Sequence, residues 1–502
     1  MKQSQRIVKN VLAGGVAVGL GGLLQLGAVV LIARSVSVSD FGIYSFILAF
    51  AVFFQLLADS GLSNILMREL AKQPEKLSEI LGAALSLIWT LSIAVELIIL
   101  AIVPFLTFSL EVKLLMLAMG AATLSLFHCA GYGSALRSQE DNELHAIGFL
   151  IHKVLFCAFI FIGLRMGLAL VGIVFAHLIP NVLLCVYYRW VVVRRYARPK
   201  MRIDFPMWKY LLTNSIPVGG ATMVRLLAQQ VDVMILSWLS DIRTVGLFSG
   251  PYRISMALRF IPQTLAIPLY PMYSRLAMNS ETKDQLQTAY VRTVKFFVIA
   301  GFPVAALFLI FSSKLITLLL GNKYQVALPA MQLLGVAFLP FFISSPFPFL
   351  LTALDKQRFL MGSSLFSLAL RVGLNFALIP FYGYMGPCIA FFVSETLMLF
   401  IWAGKLTRLG FHLELVKVIW RPLAASCCIG VALYLIRDVS LLWLIPATFA
   451  ALVIYLVMLL VLGAFSNSDL KLAKEGLGFL QPFLAKWSGQ PAPSKWRLWS
   501  GS

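Results

Sequence analysis

Apolar stretches about twenty residues long, separated by short polar segments, recur from one end of the chain to the other. A helix of that length crosses roughly 30 Å of hydrocarbon. The pattern predicts fourteen membrane-spanning helices, at about 11–33, 42–64, 83–105, 114–134, 146–164, 168–188, 211–238, 246–271, 293–312, 326–352, 359–379, 384–404, 418–436 and 441–463. The expected fold is all-α and polytopic, with both termini on one side because the count is even. The first apolar run follows MKQSQRIVKN and continues to about Ala33. That is too long for the core of a signal peptide, and no small-residue cleavage site closes it, so a retained helix is expected.

Charge in the connections predicts the orientation. Segments on the side of the termini hold 29 lysines and arginines, and those on the other side hold 7. Such a bias places the termini in the cytoplasm. Composition agrees with the hydropathy: 60% of residues are hydrophobic and 12% charged, against about 25% charged in soluble chains. The net charge of +20 is then mostly topology. It is spread over short loops facing anionic lipid, which argues against a nucleic-acid partner.

No connection exceeds about 25 residues, which leaves no room for a catalytic domain. GxxxxGK[ST], HExxH and Gly-rich nucleotide fingerprints are absent from the sequence. An enzyme is not expected, nor a cofactor or a metal. The cysteines Cys129, Cys157, Cys185, Cys388, Cys427 and Cys428 lie in apolar runs without ligand spacing and read as small hydrophobes. The ending SGQPAPSKWRLWSGS reads as disordered, with tryptophans suited to a membrane surface.

The chain also resembles itself. QLGAVVLIARSVSVSDFGIYSF (25–46) lies over QVDVMILSWLSDIRTVGLFSG (230–250), pairing FGIYSF with VGLFSG at an offset of 204 and Gln25 with Gln229. SALRSQ (134–139) lies over TALDKQ (352–357) at 218, and VGIVFA (171–176) over MGPCIA (385–390) at 214. Three matches in order, at nearly equal offsets, indicate a six-helix repeat. Two parallel repeats would be related by an axis along the membrane normal, a symmetry on which transporters are built. The expected organisation is an N-terminal lobe at 1–200, a C-terminal lobe at 201–412, two further helices at 413–463 and a cytoplasmic tail at 464–502.

Nine charged residues remain inside the predicted spans: Lys153, Arg225, Arg253, Arg259, Arg371, Asp59, Glu96, Asp232 and Glu395. Near the bilayer centre each costs about 2.5–3.5 kcal/mol, so such residues face a polar interior by default. Arg253 and Asp59 lie nearer helix ends, from which a side chain can snorkel to the interface. At the offset of 218, Lys153 falls on Arg371, giving each half a cation near the middle of its fifth span. Two cations around one cavity would suit an anion, with a diphosphate the obvious candidate; private ion pairs, such as Lys153 with Asp59, are the competing arrangement. Arg225, Gln229 and Asp232 stand at i, i+4 and i+7 on one face. Gln55 and Asp59 fall on Arg259 and Gln263 at the offset of 204. The candidate substrate-binding set is therefore Lys153, Arg371, Arg225, Arg259, Gln25 and Gln229. Asp59, Asp232, Glu96, Glu395 and His152 are candidates for a coupling proton or for ion pairing. Glycine and proline interrupt several spans, in AGGVAVGLGG (13–22), NSIPVGG (214–220), IPQTLAIPLYP (261–271) and LPFFISSPFPF (339–349), with bends expected in the last two.

ARSVSVSDFGIYSF (33–46) and ADSGLSNILMREL (58–70) resemble the opening of Wzx-type polysaccharide-biosynthesis flippases of the MOP superfamily. Arg34, Phe41, Gly42, Tyr44, Gly61, Leu62 and Arg68 carry the match, and SALRSQEDNELHAIGFLIHKVL (134–155) resembles the family's loop before its fifth helix. The acidic Glu140, Asp141 and Glu143 in that loop depart from the pattern. The resemblance implies a V-shaped bundle of two six-helix lobes with two extra helices and a cationic central cavity, in the bacterial cytoplasmic membrane. It implies transfer of undecaprenyl-diphosphate-linked oligosaccharide for O-antigen, capsule or exopolysaccharide assembly, with lipid, a polymerase and a chain-length regulator as partners. The rival readings are a flippase for the peptidoglycan lipid precursor and a cation-coupled multidrug antiporter. An integral glycosyltransferase would need an extramembrane catalytic loop.

Overall fold

The computed structural model describes residues 3–266, 269–278, 280–435 and 444–465, and all regular structure among them is helical. The tail expected to be disordered lies, past residue 465, outside the described residues. Among the described residues, ten helical stretches are long and apolar enough to cross a membrane, and Gly19–Ser35 and Pro446–Val461 are shorter apolar helices. Many large apolar side chains face outward, among them Trp89, Ile93, Leu97 and Leu100 on one helix. In water such a belt would aggregate; in lipid it is the solvated surface.

Residues up to Leu413 form one compact unit and those from Glu414 a second. The first unit begins with α1 (Gln3–Ser35), α2 (Val38–Asp59), α3 (Leu62–Lys72), α4 (Leu77–Ile102), α5 (Leu110–Ser138), α6 (Asn142–Arg165) and α7 (Ala169–Arg195). It continues with α8 (Phe205–Leu239), α9 (Ile242–Ala257), α10 (Phe260–Ala266), α11 (Leu269–Ala277), α12 (Lys283–Leu319), α13 (Leu328–Ser344), α14 (Phe347–Ala353), α15 (Gln357–Tyr382) and α16 (Met385–Arg408). The second unit holds α17 (Leu415–Leu435) and α18 (Leu444–Val461), which pack together. There the Arg421 guanidinium donates to the Gly463 carbonyl.

Within the first unit one packing scheme is used twice. α1 packs on α6, α6 on α7, α7 on α5, and α5 on α4 and α2. Correspondingly, α8 packs on α15, α15 on α16, α16 on α13, and α13 on α12 and α9. The short helices conform as well, α3 lying on α5 and α11 on α14.

Two features depart from the predicted spans. α3 and α11 follow a span where a loop or a continuing helix was expected. Leu62, Ile65, Leu66, Glu69 and Leu70 make the buried stripe of α3, a 3.6-residue period too short and too polar to register as a span. Asp59 accepts from the Ser63 backbone N–H (3.0 Å) and hydroxyl (3.0 Å), capping the start of this helix. The second departure is at the prolines. Spans 246–271 and 326–352 are each broken. Pro262 has no N–H for the Leu258 carbonyl, which takes the Ile261 N–H instead (3.1 Å). Pro346 cannot serve Phe342, whose carbonyl accepts from Ser345 (3.2 Å). Each proline thus removes an i→i−4 bond, and the helix stops there.

The two sequence halves meet through paired features. Gly42 of α2 lies against α9 and Gly246 of α9 lies against α2. A Cβ on Gly42 would strike the Ile242 carbonyl oxygen, and one on Gly246 the Val38 carbonyl oxygen. These four residues are related by the offset of 204, so the contact is isologous, with each backbone seated in the other's groove. Beside it, Arg34 Nη1 donates to the Leu318 carbonyl at the end of α12 (2.5 Å), and Lys323 Nζ donates to the Arg34 carbonyl at the end of α1 (3.2 Å). Each half caps a helix C-terminus of the other with a cation, where the free carbonyls and the helix dipole favour one. Toward the other end of these helices, Gly61, at φ +88°, meets Gly219 of α8 backbone to backbone.

Gly42→Val and Gly246→Val are each expected to lower the thermal stability of the detergent-solubilised protein, by about 1–3 kcal/mol as for overpacked cores. Gly373→Ala, whose added Cβ would meet nothing within 4 Å, should leave the melting temperature unchanged or raise it. Equal effects at the three positions would rule out a tight crossing of α2 and α9.

Candidate functional site

Asp232 on α8 is fully buried, and Arg371 on α15 is 3% exposed. The two carboxylate oxygens accept from Arg371 Nε (3.3 Å) and Nη2. Asn375, one turn along α15, donates to Asp232 Oδ1 (2.9 Å). The guanidinium lies over the Phe391 ring, 5.1 Å from its centroid. A fork of this kind fixes the plane of the arginine and leaves its remaining N–H groups free for another acceptor.

Those groups border a cavity of about 190 Å³. Three helices supply its lining through helical spacing, and two helix breaks supply the rest. α8 contributes Arg225 and Gln229 at i and i+4; α15 contributes Ser364, Ser367 and Arg371 at i, i+3 and i+7; α16 contributes Phe391, Glu395, Met398 and Trp402. The fourth contribution comes from the two proline breaks. Arg259 sits in the turn between α9 and α10, and Ser345 in the turn between α13 and α14. The Arg259 guanidinium lies 4.6 Å from the centroid of Phe341, which also lines the space. Among the described residues, Glu395 is the single acid of the lining. Among the described residues no hydrogen bond or ion pair reaches the carboxylate of Glu395, and no ion pair engages Arg225 or Arg259. The site is thus a cationic cup: among the described residues, three guanidiniums, four serine hydroxyls, one carboxamide and one carboxylate.

Lys153 does not line this cavity. Its ammonium donates to Gln25 Oε1 on α1 (2.8 Å) and lies near the rings of Phe149 and Phe156, at 5.5 and 6.0 Å from their centroids. Gln25 is therefore tied to Lys153, while its repeat partner Gln229 donates to the Arg225 carbonyl (3.3 Å). The matched cations occupy corresponding helices but separate environments in this structure. An ion pair between Lys153 and Asp59 does not form, because Asp59 is engaged in capping α3. Arg253 does not snorkel: it reaches from α9 into the first half, with Nε 3.4 Å from Ser45 Oγ and its guanidinium over the Tyr44 ring at 5.2 Å. His152 Nε2 and Asn181 Oδ1 share a hydrogen bond (2.7 Å), and Tyr44 and His177 share another (3.2 Å). Glu96 lies apart from all of these, its carboxylate against Gly120 of α5.

The serines and Asn375 carry no charge and escaped the sequence reading. The spacing of Ser364, Ser367, Arg371 and Asn375 on one face of α15 was the signal available for them. Among the described residues no three His, Cys, Asp or Glu side chains converge as a metal site requires.

The sequence profile of a family described as "Polysaccharide biosynthesis protein" matches residues 7–277, more than half of the chain. The chain belongs to that family. Among solved structures, the lipid II flippase MurJ in an inward closed conformation is similar at a TM-score of 0.72 and 15% identity, over 89% of this chain and 98% of that one. A multidrug-resistance transporter of the MATE family in an outward-facing conformation is similar at 0.57 and 15% identity, over 82% and 99%. A MOP-superfamily transporter from Pyrococcus furiosus, described by a reversed polarity of its binding pocket, is similar at 0.58 and 15% identity, over 80% and 95%. No curated protein matches. The polysaccharide-family member is thus a multi-pass membrane protein with the MOP fold, as the resemblance in its opening residues implied.

Removing one partner of the buried pair strands the other's charge, at a cost of about 3–5 kcal/mol. Asp232→Ala is expected to lower the melting temperature of the purified protein sharply. The double variant Asp232→Asn with Arg371→Gln should recover much of the loss. A double variant as unstable as the single one would mean that packing, not charge, holds α8 to α15.

Proposed function

We propose that this transporter is a flippase carrying undecaprenyl-diphosphate-linked oligosaccharide repeat units across the bacterial cytoplasmic membrane for surface polysaccharide assembly. The observation that carries this reading is the convergence of Arg225, Arg259 and Arg371 on one interior cavity in a member of a polysaccharide biosynthesis family. Guanidiniums grip a diphosphate through paired N–H groups. The serines and Gln229 offer donors and acceptors for the first sugar.

The cavity volume limits what this conformation holds. Pockets that enclose a ligand of drug size measure about 300–1,000 Å³, and this one is about 190 Å³. It suits a diphosphate and excludes an oligosaccharide. The helices must part to admit the glycan, and the polyprenyl chain stays in lipid throughout. With cytoplasmic termini, the cross-capped end that bears Arg34 and Lys323 faces outward, and substrate is captured from the cytoplasmic leaflet. The two six-helix lobes, at 1–200 and 201–412, then rock to expose the headgroup outward, passing it across Lys153 and Gln25 of the first lobe. A polymerase and a chain-length regulator of the same pathway would receive the product.

A cation antiporter needs acids where this cavity has arginines, so the pocket speaks against that reading. A peptidoglycan precursor shares the diphosphate, and the pocket does not distinguish it.

Leaflet-resolved analysis of lipid-linked glycans in a strain lacking the gene tests the proposal. One undecaprenyl-diphosphate glycan should accumulate on the cytoplasmic side while its surface polymer disappears. Accumulation of the peptidoglycan precursor would reassign the substrate, and no accumulation of either would remove the flippase reading. In the complemented strain, Arg225→Ala and Arg259→Ala should each reduce export by about tenfold or more, the worth of one lost charge-assisted contact of 1.5–3 kcal/mol, at unchanged protein level. Lys153→Ala should impair export and Lys153→Arg should be milder.

A further inference from the structure

A second polar pocket lies away from the arginine cavity, at the end of the bundle that bears Arg34 and Lys323. α1 and α6 pack together, and where they end an open pocket of about 440 Å³ remains. One wall is the turn from α1 to α2, with Ser35, Ser37 and Asp40; the other is the turn from α6 to α7, with Arg165, Gly167 and Ala169. We infer that this pocket binds the headgroup of a phospholipid carrying ethanolamine, with the phosphate on Arg165 and the ammonium on Asp40. The inference does not depend on what the arginine cavity carries.

The charges select a zwitterion. Asp40 and Arg165 border one space, yet among the described residues no ion pair joins them. The Arg165 guanidinium lies 5.2 Å from the centroid of the Phe161 ring and donates no hydrogen bond among the described residues. Asp40 Oδ2 accepts from the Ser37 hydroxyl (2.7 Å) and N–H (3.4 Å), while Oδ1 accepts nothing among the described residues. Lys323, the other cation near Asp40, donates instead to the Arg34 and Val36 carbonyls. A simple anion in the pocket would be repelled by Asp40, and a simple cation by Arg165. A phosphoethanolamine group satisfies both. The guanidinium takes phosphate oxygens through paired N–H groups, and a primary ammonium has three N–H groups for Oδ1 and the serine hydroxyls. Basic pockets between helices at the membrane interface hold lipid headgroups in this way. Phe161, Ile162 and Met166, all exposed beside Arg165, offer the acyl chains an apolar surface. The volume falls in the range of about 300–1,000 Å³ that small ligands occupy.

The repeat shows that the fold does not require this opening. The offsets of 204 and 214 lay Asp40 on Thr244, Arg165 on Ile379 and Ala169 on Gly383. Neither charge has a counterpart in the second half, and Ile379 is buried. The equivalent space is closed there, since a Cβ on Gly383 would lie 3.9 Å from Thr244 Cγ2. The first half parts the same two turns and places opposite charges between them.

Native mass spectrometry of the full-length protein in detergent tests the inference. The probes are phosphatidylethanolamine, phosphatidylglycerol and phosphatidylcholine, equimolar and with the same acyl chains. Phosphatidylglycerol keeps the phosphate without the ammonium, and phosphatidylcholine keeps the cationic nitrogen without its N–H groups. Phosphatidylethanolamine should be retained over each by about fivefold, the worth of one well-made ion pair at a wet interface. Arg165→Gln should retain about fivefold less of it, by the same measure. Asp40→Asn, which keeps a side chain able to cap α2, should lose the preference over phosphatidylglycerol. Arg243→Gln, which removes an exposed charge at the start of α9, should behave as wild type. Equal retention of the three lipids by wild type, or preference for phosphatidylglycerol, would overturn the inference. So would a preference that survives in both Arg165→Gln and Asp40→Asn, or one that Arg243→Gln abolishes as well. The wild-type comparison needs no variant, so a poorly folded one would not shield the proposal.

Discussion

A charge inside a membrane must be paired, wetted or neutral, and this requirement organises the interior of the protein. Arg371 and Asp232 meet it by pairing, with Asn375 completing the carboxylate's contacts. Lys153 meets it with the Gln25 oxygen and two aromatic faces. Arg253 rests on Tyr44. Arg225, Arg259 and Glu395 line the cavity without an ion pair among the described residues, and they need a wet or occupied cavity. Arg371 thus serves twice, holding α8 to α15 through Asp232 while its remaining N–H groups border the cavity, whereas Arg225 and Arg259 have no ion pair to share.

Proline supplies two of the cavity's walls. Helices conceal their backbone polar groups, which is why they cross membranes, and an unbroken span can offer a ligand only side chains. Pro262 and Pro346 each free a carbonyl and shorten the local hydrogen-bond pattern to i→i−3, and the turns so made bring Arg259 and Ser345 to the cavity. The glycines act oppositely. Gly42 and Gly246 remove side chains so that α2 and α9 touch backbone to backbone. In hydrocarbon, close packing of this kind replaces the hydrophobic effect as the force that joins helices. A contact made of small residues on both sides, related by the repeat, is also one about which two halves can turn with little interpenetration of side chains to undo.

The fold was legible wherever one physical signal dominated. Apolar runs marked most of the long helices, and the match of FGIYSF to VGLFSG placed Gly42 on Gly246 before their contact was seen. What failed to register was short or amphipathic. α3 mixes a buried Leu-Ile stripe with Arg68, Glu69 and Lys72, so its hydropathy is unremarkable while its periodicity is helical. The cavity was half legible. Formal charge and i, i+4 spacing pointed to Arg225, Gln229, Arg259 and Arg371, because unpaired charge is costly in lipid. Sequence could not say that Asp232 would engage Arg371 across two helices, or that Lys153 would turn to Gln25. Those choices depend on which faces α8 and α15, or α1 and α6, present to each other.

The repeat makes the asymmetry of the two halves informative. At the offset that lays Gln25 on Gln229, Asp232 falls on Ala28, which is fully buried in α1. The first half therefore keeps its cation, Lys153, but has no carboxylate in the place where the second half has one. Lysine and arginine differ in the matching way. A guanidinium locked by a carboxylate presents a fixed fork, while an ammonium on a flexible stem, held by one neutral oxygen, can leave that partner at small cost. On the proposed flippase reading, the rigid fork suits the place where the anion is first oriented, and the releasable ammonium the place past which it must travel without being trapped. Substituting one for the other, or giving Lys153 an acid of its own at position 28, would remove that gradation while leaving the number of cations the same.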